Sequence, residues 1–288
     1  MKIIVTGGTG LVGSEVIRSA IKHQFITHIY AVVRKPLDPK LADNPKVTQI
    51  IHDDFEKWDE DRLIRLFEHE GVQGCIWCVG GWTNKFPSLQ ESQRVNIAMP
   101  HSAAETFSAT LSPSSSAIAQ SKNKRGIAFR FIYMSCTGAE SNPFASLWYA
   151  ADSRKTKGAA EKGLFELADS RTPGSFEAYA MRLGKVLPGG QSVYNLLSMG
   201  SSTSISDTLV ARCAINLVLD GRTKEEGGRV LENADCLGDD WAHHYTDTAE
   251  SYPVVNSRFT YKKVYGSEDC EYEQDIGHID HRGVLCVR

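Results

Sequence analysis

No run of consecutive apolar residues in this 288-residue chain approaches the ~18 that a membrane-crossing helix needs. A surplus of one charge is missing too. The 32 Lys and Arg stand against 35 Asp and Glu, with no basic stripe, so nucleic acid and anionic membranes are poor partners. The densest basic stretch, Lys122, Lys124 and Arg125, lies in a Ser/Ala-rich segment and reads as solvated surface. There is no internal repeat and no Gly-x-Ser-x-Gly elbow to support a hydrolase. The first strand pattern starts at residue 2, leaving no room for a targeting segment, so the expectation is a soluble cytoplasmic protein. Paired cysteine chemistry is also lacking. The seven cysteines are an odd, scattered set. Cys75-Ile-Trp-Cys78 reads as strand, where positions three apart face opposite ways, so reduced core thiols are expected.

What is present lies first at the N-terminus. Lys2-Ile3-Ile4-Val5-Thr6 is a short apolar run, opening into Gly7-Gly8-Thr9-Gly10-Leu11-Val12-Gly13 and then the amphipathic stretch Ser14–Ile21. Strand, glycine turn and helix in this order form the phosphate cradle of a doubly wound α/β domain. Gly7 permits the tight turn, Gly10 lets backbone approach a diphosphate, and Gly13 lets the helix pack closely on the sheet. The helix start offers unpaired N–H groups and a positive dipole end. Thr6, Gly7, Gly10, Leu11, Val12 and Gly13 are thus the expected diphosphate contacts.

About twenty residues on, an NAD site places an acid on the ribose 2′-hydroxyl. Here stand Arg34 and Lys35, and no acid follows until Asp38. Two cations attract a 2′-phosphate and leave nothing to accept from a free hydroxyl. The expected cofactor is NADP(H).

Strand and helix patterns alternate through the first half, as a parallel sheet requires. Strands are predicted over 29–34, 47–53, 74–79, 128–135, 176–187 and 229–232. Helices are predicted over 59–68, 88–110, 155–168 and 208–219. Residues 111–126 are Ser-rich and aperiodic, a surface insertion. The fold class expected is α/β, a Rossmann-type doubly wound parallel sheet over residues 1–237, with a small C-terminal substrate-side portion mainly over 186–237. Residues 238–288 form an irregular tail with three roles open to it: capping the cleft, adding an edge strand, or mediating a homodimer contact. His243, His244, His278 and His281 in that tail read as solvated side chains; no metal site is expected.

Thr6-Gly7-Gly8-Thr9-Gly10-Leu11-Val12-Gly13 resembles the atypical and extended short-chain dehydrogenase/reductase superfamily. Within it, the chain is most similar to the NmrA-like and Tat-interacting-protein-like branch, over about residues 1–235. The resemblance implies that Asp53 or Asp54 contacts adenine and that Val79, Gly80 and Gly81 pass the adenosine ribose. It also implies a structural Asn96 and an Arg182 beside the nicotinamide. Leucine replaces the family's proline after Arg182.

In that family a serine follows the fifth strand and a Tyr-x-x-x-Lys lies on the next helix. The tyrosine protonates a carbonyl oxygen, and the lysine holds the nicotinamide ribose and lowers the tyrosine pKa. By resemblance Ser135 is the serine and Lys157 the lysine, but four residues before Lys157 stands Ser153. The nearest phenol, Tyr149, is eight residues back, about 12 Å of helical rise. Ser135, Tyr149 and Lys157 are the candidate catalytic residues. Three readings compete. The first is an NADP(H)-dependent reductase of a small, apolar or aromatic carbonyl or enone, as in isoflavone-reductase-like members without this tyrosine. The second is a non-redox isomerase or cyclase on the same scaffold, and the third an NADP sensor like NmrA. Trp82, Phe86, Trp148 and Tyr149 suggest the apolar ligand.

Overall fold

The computed structural model describes residues 1–111, 128–189, 204–222 and 228–237. Its first strand, β1 (Lys2–Thr6), buries every residue but the first, as a parallel strand covered on both faces must. The other strands of the sheet are β2 (His28–Val33), β3 (Val47–Ile51), β4 (Val72–Trp77), β5 (Phe129–Cys136) and β6 (Phe176–Leu183). A short pair follows, β7 (Lys185–Leu187) and β8 (Ser204–Ser206), and then the last strand, β9 (Val230–Glu232). The main sheet is parallel with order β3-β2-β1-β4-β5-β6-β9. The strand order reverses between β1 and β4, and a crevice opens there beyond their carboxyl ends. The Rossmann-type doubly wound architecture is as expected.

Alternation along the strands sends side chains to two different cores. Ile3, Val5, Ile29, Val33 and Ile76 meet α1 (Leu11–Lys22) and α7 (Asp207–Asp220) in an aliphatic layer. Ile4, Trp77, Phe129, Phe131 and Tyr133 face the opposite layer, with Phe55, Phe67 and Phe107. That layer is covered by α3 (Glu60–Ile64), α5 (Met99–Thr110) and α6 (Ala151–Ser170). The short helices α2 (Pro39–Ala42), α4 (Leu89–Gln93) and α8 (Asn233–Leu237) complete the described elements.

Several boundaries differ from the sequence expectation. The helix over 88–110 is interrupted by a π turn, Arg94–Ala98, between α4 and α5. Pro100 has no N–H to give the carbonyl of Asn96 four residues back, and the Tyr133 hydroxyl donates to that carbonyl instead at 2.8 Å. The helix over 59–68 likewise ends in a π turn, Arg65–His69. The strand over 176–187 breaks at Gly184. Its last residues leave the main sheet to pair with Ser204–Ser206, and the Asn233 side chain accepts from the Gly184 N–H at 2.8 Å. The helix expected over 155–168 starts four residues earlier, at Ala151. Cys75 and Cys78 are free thiols. The Ser-rich segment beyond Leu111, the tail 238–288 and its four histidines lie outside the described residues. Among the described residues no helix is long and apolar enough to cross a membrane.

Candidate active site

A cleft of about 1030 Å³ opens at the strand-order reversal. One wall is the start of α1, where Gly10, Leu11, Val12 and Gly13 line it. Gly7 takes φ +67 and its carbonyl accepts from the Gly10 N–H at 2.9 Å, closing the turn. A Cβ on Gly7 would sit 2.8 Å from the Cys78 carbonyl, and one on Gly13 would run into the Gly7 carbonyl. So Gly13 serves the close packing predicted for it, while Gly10 borders the open cleft. Gly10 caps α1 with no side chain, so the first-turn N–H groups stay available to an anion. Thr6 is different. It is fully buried, its hydroxyl accepting the Cys78 N–H at 3.1 Å, so it joins β1 to the segment after β4 and does not line the cleft.

The second wall follows β4. Val79, Gly80 and Gly81 line it, with Trp82, Thr83, Asn84 and Lys85 beyond. Gly80 adopts φ +148, open only to glycine, and a Cβ there would lie 2.8 Å from Asn96 Oδ1 and 3.1 Å from Lys157 Nζ. Asn96 is buried. It accepts from the Gly81 N–H at 3.0 Å and donates to the Ser92 carbonyl at 2.9 Å. It braces the glycine pair from behind, and the π turn aims it there.

The floor comes from β5 and α6. Lys157 is 7% exposed; its ammonium donates to the Met134 carbonyl at 2.8 Å and lies 4.7 Å from the Tyr133 ring centroid. Burial lowers its pKa to about 8, against the opposing influence of Cys136 and Glu161. Lys157 is thus a cation at neutral pH that gives up its proton more readily than a surface lysine.

Ser135 donates its hydroxyl proton to Glu161. Arg182 clamps that carboxylate, with Nη2 at 2.7 Å and Nε at 3.1 Å, and Nη1 reaches Glu232 at 3.1 Å. The expectation for Arg182 is therefore corrected. It pairs in register with Ser135 on β6, but two carboxylates engage its guanidinium and it is not part of the cleft wall. Leu183, Gly184, Lys185 and Val186 take that place.

Ser153, where the family has tyrosine, lies one turn before Lys157 and is 7% exposed. Its Oγ accepts from the Thr83 N–H at 2.9 Å, and the residue lines the cleft. Tyr149 does not join the helix. It lies on the preceding loop, lines the cleft from the rim and is 61% exposed. Of the four aromatic candidates, Trp82 and Tyr149 line the cleft, whereas Trp148 and Phe86 do not. Cys78 and Cys136 also line it, but burial pushes their thiols up to about 12 and about 11, so neither is a nucleophile at neutral pH.

Arg34, Lys35, Asp53 and Asp54 lie beyond this cavity, just past the ends of β2 and β3. Arg34 and Lys35 are exposed, and no carboxylate among the described residues pairs with either. Asp54 accepts from the Glu56 N–H at 3.1 Å, a turn role. Sequence reasoning missed Glu161, the hydrogen-bonding part of Ser153, and Lys85 and Lys185 on the wall. The Lys-Gly-x-x-Glu spacing was the available signal for Glu161; nothing local marks the others.

Residues 3–143 match the NAD dependent epimerase/dehydratase family. Among curated proteins none matches the sequence. The fold is similar to that of yeast methylglyoxal/isovaleraldehyde reductase complexed with NADPH, at TM-score 0.57 and 14% identity over 81% of this chain and 77% of the other. The NADPH complex of Gre2 from Candida albicans gives 0.56 and 13%, over 81% and 77%. The dTDP-glucose 4,6-dehydratase of Streptomyces venezuelae, with NAD bound, gives 0.54 and 14%, over 81% and 75%. Residues 3–143 thus carry the sequence pattern of the NAD dependent epimerase/dehydratase family, and the fold is similar to that of short-chain dehydrogenases/reductases.

Proposed function

We propose that the protein is an NADP(H)-dependent reductase of a small carbonyl or enone compound. The observation that carries this reading is the placement of Lys157, buried on the floor of a cleft whose other wall is the uncapped start of α1. The residues fit the cofactor. The Gly7–Gly13 turn leaves room and N–H groups for a diphosphate, and the unpaired Arg34 and Lys35 suit a 2′-phosphate. When bound, NADP(H) supplies a hydride to the substrate carbon.

The chain supplies the proton. Ser135 has given its own hydrogen to Glu161, so it offers the cleft an acceptor. Tyr133 is buried with its hydroxyl on the Asn96 carbonyl. The Lys157 ammonium, directly or through the Ser153 hydroxyl, is the remaining donor on the floor, and the carbonyl oxygen takes that proton as the hydride arrives. Glu161, fixed by Arg182, positions Ser135.

NADPH absorbance should fall when the protein meets a panel of small aldehydes, ketones and enones. A second reading has its own support. With no phenol on the floor, the cleft also suits a non-redox isomerase or cyclase. Product formation with no net change in NADPH would establish that reading against the reductase. A partner that bound only one of the NADP+ and NADPH forms, with no turnover, would favour a sensor.

A further inference from the structure

We propose that the substrate carries an anionic group, a carboxylate or its equivalent, which the cleft binds beside the reactive centre. This rests on the reductase reading for the reactive carbonyl, but the anion site stands on its own observations. Three lysines line the cleft, Lys85, Lys157 and Lys185, against one carboxylate, Asp152. The chain as a whole has formal net charge −3, so this is a local reversal of sign. Lys85 ends the helical turn Thr83–Lys85 beyond β4, and Lys185 opens β7 just past β6. In the sheet β4 and β6 flank β5, so these segments approach Ser135 and Lys157 from opposite sides. Both lysines are exposed, and no carboxylate among the described residues lies within ion-pair distance of either.

A further source of positive potential adds to them. The 20-residue α6 begins at this cleft with Ala151, Asp152 and Ser153 on its lining, and its N-cap, Ala150, has no side chain able to cap. Its first-turn N–H groups and dipole favour an anion in the same space as the lysines. The cofactor's diphosphate does not account for these groups, since the start of α1 already serves it. Trp82, Met134 and Val186 on the same lining leave an apolar body compatible with the anionic end.

The test uses charged and neutral probes of similar shape on the whole protein, saturated with NADP+ for binding and supplied with NADPH for turnover. Benzoate and benzamide are compared by calorimetry, and 4-carboxybenzaldehyde and its methyl ester by NADPH consumption. Benzoate should bind about tenfold or more tightly than benzamide, as charge-assisted contacts imply, and added salt should erode the difference. Lys85→Glu and Lys185→Glu should each abolish most of that preference with NADPH affinity unchanged. Equal binding of the two probes, or a preference the reversals leave intact, would overturn the proposal. So would reversals that weaken NADPH instead, because the cations would then belong to the cofactor. If the carboxylate preference holds but neither aldehyde consumes NADPH, the anion site stands and the reductase reading falls.

Discussion

At one end of the cleft Gly7–Gly13 present main chain to a ligand. At the other, Lys85, Ser135, Ser153, Lys157 and Lys185 converge as side chains from separate segments. The first end is local. Its shape follows from positive φ at Gly7 and from the absence of a Cβ at Gly13, both written in seven consecutive residues. The second end exists only because β4, β5 and β6 lie side by side in the sheet. A change at the glycine end should therefore act through backbone sterics and cofactor affinity. A change at the lysine end should act through protonation and charge, with the fold left intact.

The largest effect expected is at Lys157. Lys157→Met should lower kcat by about 10²- to 10⁴-fold, the usual worth of a positioned proton donor; an unchanged rate would remove Lys157 from the chemistry. In the native protein the rate should fall as pH rises through about 8, where the ammonium is lost. Stability should move the opposite way. The folded-state pKa lies below the unfolded one, so between about pH 8 and the ordinary lysine value of 10.5 the unfolded chain binds more protons and stability climbs with pH. Below that window burying the cation costs up to ~3 kcal/mol, so the Met variant should be at least as stable as native at pH 7. Thermal unfolding across pH checks this sign.

Next in size is Gly13→Val. Its Cβ would meet the Gly7 carbonyl and the Gly8 amide, main-chain atoms that cannot swing aside. NADPH affinity should drop by about 100-fold, with stability down by ~2 kcal/mol or more; calorimetry showing native affinity would refute the close-packing account. Arg34→Ala should weaken NADPH by about tenfold through loss of one charge-assisted contact and leave NADH almost untouched; equal losses would contradict the 2′-phosphate assignment. The smallest effect concerns Ala150, the one non-glycine residue with positive φ among those described, at +47. Ala150→Gly should stabilise the fold by ~1 kcal/mol, and a lower melting temperature would show that the side chain has packing worth keeping.

Much of the fold was legible because its signals are periodic and short-range. The strand–turn–helix opening, the alternating elements through β5 and the helix around Lys157 all follow from local pattern. The breaks were not legible. Pro100 gave warning of the π turn, yet the partner that takes the freed carbonyl, Tyr133, is 37 residues from Asn96. Leu183 and Lys185 look like one strand until Asn233 fixes Gly184. Arg182 illustrates the same limit: its sequence position predicted a cofactor contact, and two glutamates from other elements turned it elsewhere.

By itself, then, the chain's order of residues determined the glycine turn before α1 and the two cations past β2, since backbone freedom and charge type are properties of single positions. Tertiary structure alone decided which groups Ser135 and Ser153 bond, how far Lys157 is desolvated and which cations share a wall. Those outcomes depend on distances between segments far apart in the chain, and only packing sets them.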